Sequence, residues 1–226
     1  MNNRIPLIVS VAAVAAMFGA STWAWFHLAP GTPIPIHWDI DGRPNGFARG
    51  PFALFMAPAI AALMTALFTA LPWLEPRRLN LASSAKFYRA TWIGLILLLA
   101  ATHGVTLYAA LHRGVEVGSI VVACVCLLMI VFGNYLGKTR SMFLGGVRTP
   151  WTLSSEYSWQ RTHSLAGKLF ISAGALGFAA ALTLPSKPAT HIFLYAMALT
   201  LVLSVVMSYV YWRRDPNRQT GDLTQD

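Results

Sequence analysis

The chain has 226 residues, a formal net charge of +9, 56% hydrophobic residues and only 11% charged ones, with a mean hydropathy of +0.55. Its apolar residues lie in long uninterrupted blocks, each near the ~20 residues needed to cross a bilayer. This excludes an ordinary soluble enzyme and predicts an all-α polytopic integral membrane protein with six transmembrane helices.

The first span is predicted from about Pro6 to Leu28. The prefix Met1-Asn-Asn-Arg4 resembles the start of a signal peptide. The apolar run is too long for one, however, and no A-x-A site precedes Pro30, so the span is read as retained. The loop that follows, Pro30 to Gly46, is unusual. Pro33 and Pro35 enforce an extended entry. Ile34, Ile36, Trp38 and Ile40 alternate with Pro35, His37, Asp39 and Asp41, a strand-like period, and residues 41–46 read as consecutive turns. His37, Asp39 and Asp41 would share a face, but three ligands in five residues without a fourth make a weak zinc signal. An ordered loop with Trp38 at the interface is the preferred reading, and no metal or other cofactor is expected.

The second span is expected from about Phe52 to Leu74, the third from Ala90 to Leu111, and the fourth from Gly118 to Leu136. The fifth runs from Leu165 to Leu184 and the sixth from His191 to Trp212, before a polar tail. This gives a three-helix region over 1–111, a second over 112–212, and a tail over 213–226. Ala12, Ala16 and Ala20, then Ala62, Ala66 and Ala70, then Ala173 and Gly177 read as small-residue packing seams. Cys124 and Cys126 point to different faces of one helix and cannot bridge each other. Within the spans only His103 and Asn134 stand out as polar candidates for an ion pathway.

Thirteen of the seventeen basic residues fall in segments that share a side with the N-terminus, leaving Arg43, Arg49, Arg113 and Lys187 on the other. By the positive-inside rule both termini are cytoplasmic, N-in and C-in. The same asymmetry explains the net charge through attraction to anionic headgroups, without any nucleic-acid partner.

The longest polar interval, Gly133 to Lys168, falls on the inner side. It carries Lys138, Arg140, Arg148, Arg161 and Lys168 against one acid, Glu156. Pro150 biases Thr149 away from helix, and the run from Thr152 to Ser155 offers oxygens to cap a new helix. Glu156, Trp159 and His163 would then project from one face. An Arg148–Glu156 clasp is the economical expectation, with Arg161 as competitor, because Arg presents a planar fork to a carboxylate. Trp151 and Trp159 suit the headgroup level.

These residues carry a resemblance. Pro33-x-Pro-x-His37-Trp38-x-x-x-Gly42-x-Pro44 looks like the small membrane domain that often precedes SdpI-type segments. The run beginning Gly133-Asn134-Tyr-Leu-Gly, then Gly146-Val-Arg148-Thr149-Pro150-Trp151-Thr152-Leu-Ser-Ser-Glu156, then Trp159-x-x-Thr162-His163, closely resembles the SdpI family signature. One departure is Met142, where that family usually has an asparagine. The family takes its name from an immunity protein that protects bacteria against a secreted sporulation-delaying toxin. The resemblance therefore implies a bacterial inner-membrane protein of immunity or signalling. Besides lipids, its expected partners are a peptide toxin at the outer loop and a cytoplasmic protein at the inner one. Two other classes stay open. An intramembrane enzyme would use Glu156 and His163 as acid and base, with no obvious nucleophile and no metal quartet beside them. A small transporter ranks last.

Overall fold

The computed structural model describes residues 1–112 and 117–218; Arg113 and the last eight residues of the tail lie outside the described residues. Among the described residues six helices are long and apolar enough to cross a membrane: α1 (Arg4–His27), α2 (Gly50–Leu74), α4 (Ala85–Leu111), α5 (Gly118–Leu136), α7 (Glu156–Thr183) and α8 (Ser186–Arg214). Two short helices, α3 (Arg78–Ser83) and α6 (Pro150–Ser154), lie in connections. The chain is a multi-pass membrane protein. The fifth spanning helix begins nine residues before the expected Leu165, because Ser155 caps it early.

Helices α1, α2 and α4 pack on one another, as do α5, α7 and α8, and the α4–α5 seam joins the two groups. The chain runs up and down, so its first residues and the end of α8 lie at the same end of the bundle as the Arg-Thr-Pro-Trp segment. The opposite end carries a hairpin of β1 (Ile34–Trp38) and β2 (Pro44–Ala48), antiparallel, with Ile34 opposite Ala48 and Trp38 opposite Pro44. The alternation in residues 34–38 does mark a strand. Residues 44–46, expected as turns, instead open the second strand.

The tightest crossing is between α5 and α7, where glycines face backbone. A Cβ on Gly133 would lie 2.6 Å from the Gly167 carbonyl oxygen, and one on Gly174 2.8 Å from that of Cys126. Close approach of this kind supplies the dispersion contacts that hold helices together in lipid, where apolar burial contributes little. Ala173 and Gly177 lie buried at this seam as expected. The expected α1 seam is wrong: Ala12, Ala16 and Ala20 face outward, and Pro6, Ser10, Met17, Ser21 and Ala24 are buried instead. In α2, likewise, Ala61, Thr65 and Phe68 are buried while Ala66 is exposed. Alanine gains little by leaving lipid, whereas a serine hydroxyl gains a partner. Ser21 donates to the Leu54 carbonyl at 2.7 Å and lies 3.0 Å from His103 Nε2. The single hydroxyl proton is thereby committed, so His103 Nε2–H is the donor to Ser21. That ties α1, α2 and α4 together.

Candidate functional site

The segment between α5 and α6 has little regular structure, so its backbone groups need other partners. Glu75, just past α2 and 1% exposed, provides them. Its carboxylate accepts from the backbone N–H of Phe143 (3.1 Å), Leu144 (2.9 Å) and Arg77 (2.9 Å). Around it, the Arg77 guanidinium donates to Ser141 Oγ and to the Leu153 carbonyl, and lies 4.9 Å over the Phe143 ring. Asn80 holds the Ser141 carbonyl at 2.7 Å, and Ser84 Oγ accepts from the Arg140 N–H at 2.9 Å. The first three-helix group thus grips the second through one buried acid and its neighbours.

The Arg-Thr-Pro-Trp run then builds two helix starts. Thr149 is extended (φ −99°, ψ 161°), as a residue before proline must be, and Pro150 opens α6. Thr149 Oγ1 accepts from the Thr152 N–H at 3.2 Å, while Thr152 Oγ1 accepts from the Thr149 N–H at 3.0 Å, a reciprocal capping box. Thr149 also donates to Ser208 Oγ of α8 at 3.0 Å. Ser155 caps α7 by accepting from the Ser158 N–H at 2.9 Å, and its hydroxyl donates to buried Asp215. Trp151 meets Tyr209 edge-on at 5.2 Å.

Behind these caps sits a stacked pair. Trp159 and His163 lie with ring centroids 3.9 Å apart, both fully buried. Trp159 is therefore a core residue, its ring packed within the protein and not presented to lipid. Its Nε1–H donates to the Thr139 carbonyl at 3.1 Å. His163 Nε2 accepts from the Val147 N–H at 2.9 Å, which leaves Nδ1–H to donate to the Trp159 carbonyl at 2.8 Å. That fixes one neutral tautomer with both nitrogens engaged. Gly146 must be glycine here: its φ is +101°, and a Cβ would fall 2.2 Å from His163 Nε2. Met142, at the departure from the family pattern, is buried in the apolar core beside Trp159.

The expected Arg148–Glu156 clasp does not form. Arg148 is exposed and donates to the Phe143 carbonyl, five residues back in its own loop. Glu156 is paired with Arg140 at 3.4 Å and accepts from Gln160 at 3.1 Å, both on the surface. Arg161, the competitor, lies over the Tyr157 ring at 5.6 Å. Loop folding returns Arg140 to the start of α7, while Arg148 is held short of it. Glu156 also points away from the buried face shared by Trp159, Thr162 and His163. The Thr162 hydroxyl is buried with no partner among the described residues, and Asn134 is exposed on α5. So Thr149, Thr152, Trp159 and His163 converge, whereas Asn134, Arg148 and Glu156 stay outside. Glu75 and Asp215 were missed. With only eight carboxylates in the chain, any acid at the end of a span was the signal that could have found them.

At the hairpin end Asp39 shapes the turn, its Oδ1 accepting from the N–H groups of Asp41 and Arg43, each at 2.9 Å. Gly42 (φ +77°) lies against the N-termini of α5 and α8, where a Cβ would be 3.0 Å from Gly118 Cα and 3.1 Å from Ser186 Cβ. Lys187 pairs with Asp41 at 3.1 Å. His37 Nδ1 faces Asn45 Oδ1 at 2.5 Å, so the three residues with metal-ligand chemistry each serve a different contact. Among the described residues no group of three His, Cys, Asp or Glu could hold a metal ion. Pro35 is buried and Trp38 half-buried, while Pro33 and Pro44 are exposed.

Residues 138–211 match the model of the SdpI/YfhL protein family, and residues 12–62 that of a domain of unknown function, DUF1648. The chain is 25% identical over 207 residues to the Immunity protein SdpI of Bacillus subtilis (strain 168), covering 92% of this chain and 96% of that protein. No solved structure matches the chain.

Proposed function

We propose that this chain, which belongs to the SdpI/YfhL protein family through residues 138–211, is an immunity protein that protects its cell from a secreted, membrane-active peptide by binding and without turnover. The observation that carries the reading is the similarity to an immunity protein along nearly the whole length of both chains. The site adds support, because His163 has both ring nitrogens committed to backbone groups. A general base needs a nitrogen free to meet substrate.

The roles divide between the two ends. The unit 1–111 presents the hairpin to the outside of the bacterial inner membrane, where exposed Phe47 and Ile40 offer apolar contact to an incoming peptide. The unit 112–212 and the tail 213–226 carry the Arg-Thr-Pro-Trp end in the cytoplasm. There Arg148 and the Arg140–Glu156 pair form a polar surface for a cytoplasmic protein. Thirteen of seventeen basic residues on that side support this orientation.

The test is survival of a sensitive bacterial strain challenged with a sporulation-delaying-type toxin peptide. Wild type is expected to raise survival, and His163→Gln to keep the share of protection that matches its folded level in the membrane. Complete loss in His163→Gln at unchanged membrane level and thermal stability points to acid–base chemistry, which typically contributes ~10²–10⁴-fold. Reporter fusions after Pro44 reading cytoplasmic would invert the assignment of the ends.

A further inference from the structure

The outward faces of α4 and α5 enclose a groove. Near the Arg-Thr-Pro-Trp end it holds about 420 Å³, with Lys86, Arg89 and Tyr135 at its mouth. Gly94, Leu97 and Val131 line this volume and also a second of about 260 Å³, which continues the groove to Ala101 and Cys124. Fifteen residues of α4 separate Lys86 from Ala101, about 22 Å of helical rise. That exceeds the ~15 Å of one leaflet, half of a ~30 Å core. Gly94 forms the floor by letting α5 pack close, since a Cβ there would lie 2.5 Å from Leu128 Cδ1.

The mouth is cationic and uncompensated. Neither Lys86 nor Arg89 is paired with a carboxylate among the described residues; the two ion pairs found lie elsewhere. Lys138 adds a third cation, 5.7 Å over the Tyr135 ring. A charged mouth followed by an apolar trough a leaflet deep follows the order of groups in a phospholipid. Basic pockets between spanning helices favour anionic headgroups.

We propose that this groove binds one anionic phospholipid, its phosphate between Lys86 and Arg89 and one acyl chain along Gly94, Leu97 and Val131. The site is built from α4, α5 and Lys138 just past α5, so it stands apart from the immunity reading.

Native mass spectrometry of the full chain, with phosphatidylglycerol and phosphatidylcholine of identical acyl chains in competition, tests it. One phosphatidylglycerol is expected to remain bound after phosphatidylcholine is lost. Each surface cation contributes about a fivefold preference, so Lys86→Gln/Arg89→Gln lowers the phosphatidylglycerol preference about twenty-five-fold. The charge-keeping pair Lys86→Arg/Arg89→Lys restores it. Arg140→Gln/Arg148→Gln removes equal charge from the same end and leaves the preference in place. Leu97→Trp, at a half-exposed position on the groove wall, lowers retention of both lipids. Equal retention of the two lipids by wild type overturns the proposal. An equal loss in the Arg140/Arg148 variant also overturns it, because diffuse surface charge would then be the cause.

Discussion

The two ends of this bundle are built by opposite means. At the Arg-Thr-Pro-Trp end, buried Glu75, Thr149, Ser158 and His163 reach across α2, α6, α7 and α8 and the loops between them, and each satisfies a group well away in sequence. At the hairpin end, polar side chains mostly serve their own turn, and Ile40 and Phe47 are left exposed at 48% and 55%. The contrast teaches where specificity is stored. The first end is over-determined, so its polar residues position backbone. The second is held by Ile34, buried against Ala24, Leu54 and Leu107, and by Gly42 and Asp41 at its turn, and it leaves apolar surface free. Sequence motifs of similar density therefore mark a structural lock in one place and exposed apolar side chains in the other.

The comparison is most easily broken at Glu75. Its removal leaves three part-buried N–H donors without their acceptor, at ~1 kcal/mol or more each. Glu75→Ala is therefore expected to destabilise the protein by at least ~3 kcal/mol in detergent melts, with Glu75→Gln milder because an amide oxygen can still accept. A loss under ~1 kcal/mol would show that the lock is held elsewhere.

Gly146→Ala comes next. Left-handed strain alone typically costs ~1–3 kcal/mol, and the new methyl must also push His163 off the Val147 N–H. Gly42→Ala, with the same kind of φ but only a 3.0 Å contact, should cost less in the same melts. If Gly42→Ala proves the more damaging, the ranking of the two ends is reversed.

A smaller effect separates the observed ion pair from the expected one. Arg140 and Glu156 are 57% and 48% exposed in their side chains, and such pairs typically contribute ~0–1 kcal/mol. A double-mutant cycle on Arg140 and Glu156 should give a coupling in that range. The cycle on Arg148 and Glu156 should be additive within ~0.5 kcal/mol. Substantial coupling between Arg148 and Glu156 would restore the clasp that sequence suggested.

The six spans were legible because a bilayer demands long apolar blocks, and β1 because its alternation survives among prolines. The second strand was hidden: Pro44-Asn45-Gly46 has turn composition, and the turn ends where Asp39 meets Arg43, its N–H donating to the Arg43 carbonyl and its side chain accepting from the Arg43 N–H. The caps at Thr149 and Ser155 could be anticipated from residue type, as could the shared face of Trp159 and His163. The partners of Arg148 and Glu156 could not, since loop folding decides which cation reaches α7. Glu75 acts across 68 positions on Phe143, a distance that no local pattern carries. The α1 seam failed because small size alone does not draw alanine out of lipid, while Ser21 has a carbonyl to meet.

The central claim is that protection is exerted from the hairpin end by contact, with the other end as its support. Survival under toxin-peptide challenge, normalised to membrane level, should be measured for Ile40→Ser/Phe47→Ser beside wild type. Both positions are exposed, so stability should stay within ~0.5 kcal/mol per site. The account predicts that this variant melts as wild type and loses most of its protection. Full protection by the same variant would contradict it.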